Sequence, residues 1–198
     1  FIGHTVTFFG RQFENQNIYS FVYAFALFIV VLIVPVLSGI ADYLGNKKRF
    51  LQFFCYLGSL SCMCLFFFKR ASLELSFLPF ITATIGFWGS LVYYNSYLPE
   101  IASPEHQDRV SARGFSMGYF GSSLLLIICL VMIMVLKVPA KFSFLLVGVW
   151  WIGFAQITFR RLPQSDHTAH GSDKKAIFSK GFKELLLVAE QLKGLKQL

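Results

Sequence analysis

In the stretch LIVPVLSGIADYLGNKKRF, residues 32–50, one carboxylate (Asp42), one glycine (Gly45) and three cations (Lys47, Lys48, Arg49) are wedged between two apolar runs. The chemistry open to such a set is charge pairing. If the first run is helical, Asp42 sits at the carbonyl end of the helix macrodipole, the wrong end for a carboxylate, and needs a partner from elsewhere. The N-terminal end of a neighbouring helix is one candidate; Arg109 or Arg113 of the next basic loop is the other. The cations also suit anchoring at lipid headgroups, the role that fits Lys48 and Arg49 best. Gly45 supplies the tight reversal between the runs.

A second charged set lies in PEIASPEHQDRVSARG, residues 99–114. Ser103, Pro104 and Glu105 have the composition of a helix start: a capping hydroxyl, a proline at the first helical position and an acid in the first turn. The short helix so begun carries Arg109 and, one turn on, Arg113, with Glu100 and Asp108 within pairing range. Exposed ion pairs contribute only about 0–1 kcal/mol each, so these charges are weak static glue. As a set that must break when a mouth opens, they can bias two conformations a few kcal/mol apart. Catalytic chemistry finds no comparable set. Cys55, Cys62, Cys64 and Cys129 fall inside apolar runs, where free cysteine packs as a small apolar side chain, and they do not form a zinc set. His167 and His170 stand in a polar linker with no further ligands nearby. No catalytic residue, cofactor or metal is therefore expected.

The elements that must position these charges follow from where charge is absent. The chain of 198 residues is 56% hydrophobic and 14% charged, with a mean hydropathy of +0.61. Five windows carry no charge at all: 21–41, 50–68, 75–99, 114–136 and 142–159. A helix of about 20 residues matches the roughly 30 Å hydrocarbon core of a bilayer, and all five windows are near that length. None shows the polar stripe that a buried helix of a water-soluble protein turns to solvent. Because backbone groups in lipid must be satisfied within the segment, the expectation is an all-α, polytopic membrane protein. Its spans are placed at about 20–41, 50–68, 77–98, 113–136 and 142–159, a bundle over 1–159.

Lysine and arginine set the orientation. One side carries 13 of them, counting six in the tail, and the other carries 5. The positive-inside rule then puts the 42–49 turn, the 100–113 loop and the tail in the cytoplasm, and residues 1–18 outside. An exterior start without a cleavable signal implies an earlier span, so the visible helices are expected to be spans two to six. The tail, 160–198, reads as a polar linker followed by a basic amphipathic helix leading toward a missing second half. The net charge of +8 is accounted for by this topology, and no nucleic-acid motif accompanies it. At membrane depth the spans contain no ionisable carboxylate or base, so a proton relay is not built from them. In window 75–99, Thr84, Trp88, Leu91 and Asn95 fall on one helical face, and Ala83, Gly86, Ser90 and Tyr94 make a neighbouring face of small residues suited to close packing. Gly114, Gly118 and Gly121 form a second small stripe.

SGIADYLGNKKRF resembles the signature at the turn between the second and third spans of the major facilitator superfamily. Asp42, Gly45, Lys47 and Lys48 match; Ser38, with Gly39 beside it, stands where the first glycine would be, and Tyr43 replaces the first basic residue. YNSYLPEIASPEHQDRVSARGFSMGYFGSSLLL, residues 94–126, looks like the vacuole-effluxer, autophagy-related permease branch and its bacterial relatives. The resemblance runs over most of the chain. It implies a partial major facilitator fold, spans 2–6 of 12, in a secondary transporter working by alternating access. It implies that Asp42 meets a helix end in the C-terminal half of the same transporter and holds the cytoplasmic side closed. It also implies that window 75–99 is the fourth, cavity-lining span, which makes Trp88, Asn95 and Thr84 substrate-path candidates. The partners implied are the lipid bilayer and a small solute; fungal relatives imply amino-acid efflux, while the short loops look closer to the bacterial branch and to a bacterial inner membrane. A non-transporting membrane scaffold or receptor-like protein is the alternative.

Overall fold

The computed structural model describes residues 5–8, 11–44, 46–68 and 73–163. A short antiparallel pair, β1 (Thr5–Phe8) and β2 (Arg11–Glu14), leads in, with Thr5 opposite Glu14 and Phe8 opposite Arg11. Among the described residues, every element after it is a helix. The first helix, α1, spans Asn15–Leu44 and continues past Pro35. At about 1.5 Å per residue it is roughly 45 Å long, more than the hydrocarbon core requires. After Asn46, α2 spans Lys47–Cys64 and tightens into a 3-10 turn, Leu65–Phe67. The third helix, α3, spans Leu73–Ser96, and the four-residue α4, Leu98–Ile101, follows it. A 3-10 turn, Pro104–His106, opens directly into α5, Gln107–Leu130, which ends in a π turn, Val131–Val135. Lys137, at φ 55°, breaks the chain out of that helix before α6, Lys141–Arg161.

Five of these helices are long and apolar enough to cross a membrane: their spans are Asn17–Val34, Lys47–Phe67, Ser76–Ile101, Pro104–Val135 and Lys141–Arg161. Each contains one of the charge-free windows or most of it, because nothing charged is affordable at that depth. Large apolar side chains such as Phe21, Phe28, Phe53 and Met117 face outward, as they do when lipid is the solvent.

The bundle is built on α2. Of its span 39% is buried, against 6% for the span containing α5. In lipid, apolar side chains gain little by leaving the solvent, so association depends on close backbone approach and inter-helix hydrogen bonds. Gly86 of α3 backs onto the Gly58 backbone, and a Cβ there would also come within 2.9 Å of the Phe54 carbonyl oxygen. On its other flank Gly58 receives the Trp151 ring of α6, while Gly148 of α6 lies against Met63 and the Ser59 carbonyl oxygen. The Thr82 hydroxyl donates to Ser61 at 2.9 Å, tying α3 to α2, and the Gln156 amide donates to the Tyr56 hydroxyl at 2.9 Å, tying α6 to α2. Leu51, Phe54, Cys55, Tyr93, Tyr97, Ala155 and Phe159 fill the space between the three helices.

The packing stripe of α3 differs from the one read in the sequence. Gly86 and Ser90 are buried as expected, but the stripe continues through Tyr93, 1% exposed, and not through Tyr94, 45% exposed. Steps of four residues overshoot a 3.6-residue turn and drift around the helix, so a straight seam must alternate steps of three and four. Tyr93 stacks on Phe50 and Phe54, with ring centroids 5.4 and 5.7 Å away, and its hydroxyl donates to the Leu37 carbonyl of α1 at 2.8 Å. The glycine stripe of α5 is the reverse case. Added methyl groups at Gly118 and Gly121 would meet nothing within 4 Å, and at Gly114 only Tyr94. No described helix packs along it.

Candidate functional site: the basic end and the α3 stripe

The 3-10 turn and first turns of α5, the C-terminal ends of α3 and α6, and the N-terminus of α2 meet at one end of the bundle, and there the basic run divides its work. Lys47 Nζ lies 2.9 Å from Glu100 Oε1, an ion pair between the first turn of α2 and α4, with both side chains largely withdrawn from solvent. Lys48 Nζ donates to the Leu162 carbonyl at 2.8 Å. Leu162 is the C-cap of α6, so this bond places a cation on the partial negative charge where the last carbonyls of that helix are unsatisfied. A charge-assisted hydrogen bond of this kind contributes about 1.5–3 kcal/mol. Lys48, read from sequence as a headgroup anchor, thus has a contact inside the protein that clips α6 to α2. Arg49 is exposed at the rim.

Glu100 was expected within reach of Arg109 and Arg113; it pairs with Lys47. Both arginines are exposed, and neither forms an ion pair among the described residues. They belong to α5 itself, since nothing between 107 and 130 interrupts the helix and no separate short helix forms. Ser103 does not cap that helix through its side chain: its hydroxyl lies 2.9 Å from His106 Nδ1, and only its carbonyl accepts from the His106 amide, at 2.8 Å. Gly45 and the side chains of Ser38, Gly39 and Asp42 lie outside the described residues, as does the amphipathic segment of the tail beyond residue 163.

The second group lies on α3. Thr84, Trp88 and Asn95 share a stripe roughly half a turn around the helix from Gly86, Ser90 and Tyr93, the face that α2 covers. Asn95 is exposed, Trp88 is half-buried with Phe87 edge-on at 5.5 Å, and the Thr84 hydroxyl donates to the Phe80 carbonyl of its own helix at 2.9 Å. This stripe and the Lys47–Glu100 pair occupy the same helix–loop unit, near its middle and at its end. Sequence reading missed the polar pair Tyr56–Gln156, whose signal was a lone glutamine in an otherwise apolar span. Among the described residues no group of His, Cys, Asp or Glu is placed to hold a metal ion.

Comparison with known proteins adds the following. A family model described as "Vacuole effluxer Atg22 like" matches residues 3–198. The chain is 33% identical over 137 residues to the uncharacterised MFS-type transporter YxiO of Bacillus subtilis, covering 65% of this chain and 32% of that protein. It is 22% identical over 223 residues to autophagy-related protein 22-2 of Aspergillus fumigatus, covering 77% and 36%, and 21% identical over 242 residues to autophagy-related protein 22-1 of Aspergillus terreus, covering 84% and 40%. The chain thus spans about a third of the length of these relatives. No solved structure matches.

Proposed function

This chain belongs to the vacuole effluxer Atg22-like family of the major facilitator superfamily, and from that premise we propose that the protein containing it is a secondary transporter moving a small solute by alternating access. It is a multi-pass integral membrane protein. One observation supports the mechanism: α3 bears the Thr84–Trp88–Asn95 stripe on the side away from the face that α2 covers, while Glu100 of α4, the short helix that directly follows α3, is paired to the basic run of α2. A solute that engages the stripe then acts on α3, whose continuation through α4 carries the pair at the basic end. Because the spans hold no charged side chain in their apolar depth, recognition there rests on an indole, an amide and a hydroxyl. Such a lining suits a neutral or zwitterionic solute, and amino acids are the first class to assay.

The remaining assignments belong to the same reading. The basic end is cytoplasmic, by the excess of lysine and arginine there, in a bacterial inner membrane. The five helices are spans 2–6, Asp42 faces a helix end of the C-terminal half, and residues 160–198 lead toward that half. The transport cycle rocks the two halves around a site at mid-membrane.

The test uses the natural full-length protein in reconstituted vesicles. Ser103→Cys, at the exposed elbow between α4 and α5, is labelled with a membrane-impermeant maleimide with and without each candidate solute, beside a flux assay. A transported solute changes the labelling rate several-fold. Absence of flux together with labelling that no solute alters overturns the transport reading in favour of a membrane scaffold.

A further inference from the structure

At the rim of the basic end, an open cleft of about 390 Å³ between α1 and α2 is lined by Leu37, Asn46, Arg49, Phe50, Phe53 and Phe54. The lining is ordered along the membrane normal. Asn46 and Arg49 stand at the N-cap and first turn of α2, where the charge-free run begins. Phe53 and Phe54 lie one turn deeper, and Leu37 lies about 10 Å below the C-terminal end of α1 at 1.5 Å per residue. The polar groups therefore sit at headgroup depth and the apolar walls at acyl-chain depth.

The three cations of the run are not equivalent. Lys47 is engaged by Glu100 and Lys48 by the Leu162 carbonyl, whereas Arg49 has no ion pair among the described residues, and the Asn46 side chain makes no capping bond to the helix it precedes. A planar guanidinium presenting a fork of donors matches a phosphodiester. Phe53 is 58% exposed beside it, so an aromatic wall is left open next to a cation with no ion pair among the described residues. A soluble anion would use the cation and gain nothing from the wall; an apolar helix would use the wall and leave the cation without a counter-charge. One ligand uses both in this order.

We propose that this cleft is a binding site for an acidic phospholipid, its phosphate on Arg49 and Asn46 and one acyl chain laid against Phe50, Phe53, Phe54 and Leu37. The site does not depend on the identity of the transported solute. A lipid seated there contacts both α1 and α2 next to the Lys47–Glu100 pair, so the composition of the leaflet bears on how firmly that end is held.

Native mass spectrometry of the full-length protein, purified in mild detergent and supplied with phosphatidylglycerol or with phosphatidylcholine, tests this. The wild type retains phosphatidylglycerol in preference to phosphatidylcholine, and inorganic phosphate does not displace it. Arg49→Gln lowers that retention at least tenfold, and Arg160→Gln, which removes a cation at the same end of the bundle but outside the cleft, leaves it unchanged. Leu37→Trp keeps every charge and fills the cleft, so it lowers retention by the same factor and serves where Arg49→Gln is not monodisperse. Equal retention of both lipids, unchanged retention in the two cleft variants, equal loss in Arg160→Gln, or a wild type that binds no lipid because a helix of the second half fills the cleft would each overturn the proposal.

Discussion

Lys47 and Lys48 are neighbours with different employment, and the difference follows from which way each points off the first turn of α2. Successive residues on a helix are turned about 100° apart, so one reaches α4 and the other the end of α6. In the proposed transport cycle the Lys47–Glu100 contact is a charge pair that an opening of this end would break. Reversing one member sets like charges facing each other where an attraction across 2.9 Å stood. Lys47→Glu is expected to lower the unfolding free energy in detergent by about 1–3 kcal/mol, and the double exchange Lys47→Glu with Glu100→Lys to recover most of it. A double exchange no more stable than the worse single variant would remove the pair from the account. The existence of a basic cluster at a turn was legible in the sequence because like charges cannot enter hydrocarbon. Its wiring was not, because the acceptor of Lys48 is a backbone carbonyl 114 residues away and carries no residue identity at all.

Among elements, α2 and α3 are held by absence of side chain. Gly86 rests on Gly58 so closely that a single methyl at Gly86 would overlap the Gly58 backbone, which cannot rotate aside as a side chain can, while a methyl at Gly58 would meet the Trp151 ring on its other flank. Gly86→Ala should therefore cost about 1–3 kcal/mol, seen as a lowered unfolding temperature in detergent, with Thr82 pulled from Ser61 as the helices part. An unchanged unfolding temperature would mean that the two helices are not packed at this seam. The sequence showed small residues in this window and in α5 alike, and the structure uses only the first set among the described residues. Spacing reveals that a helix can approach another; which helix comes is decided by the fold. The spans themselves were legible, since length and absence of charge are the physical requirements for crossing a bilayer. The hairpin at Thr5–Glu14 was not, since four-residue strands leave too short a pattern to read. The π turn at Val131–Val135 shares that fate, being one extra residue per turn in an unbroken apolar run.

For the whole molecule the proposed topology is an up-and-down course whose orientation follows the excess of lysine and arginine at the basic end. Ser103 lies at the basic end and Lys137 at the other, with the full length of α5 between them. In intact cells Ser103→Cys should react with an impermeant maleimide only after permeabilisation, and Lys137→Cys without it; labelling of both from one side would refute the threading. The order of packing has a further consequence. The helix on which the bundle is built, α2, finds one of its two main neighbours, α6, only at the far end of the described chain, after roughly 100 further residues. At a synthesis rate of about 5–20 residues per second, α2 waits on the order of 5–20 s in the insertion machinery or beside it, with Gly58 and Tyr56 unaccompanied on one flank. One flank of its seam is thus open during biogenesis until Trp151 and Gln156 arrive to cover Gly58 and Tyr56.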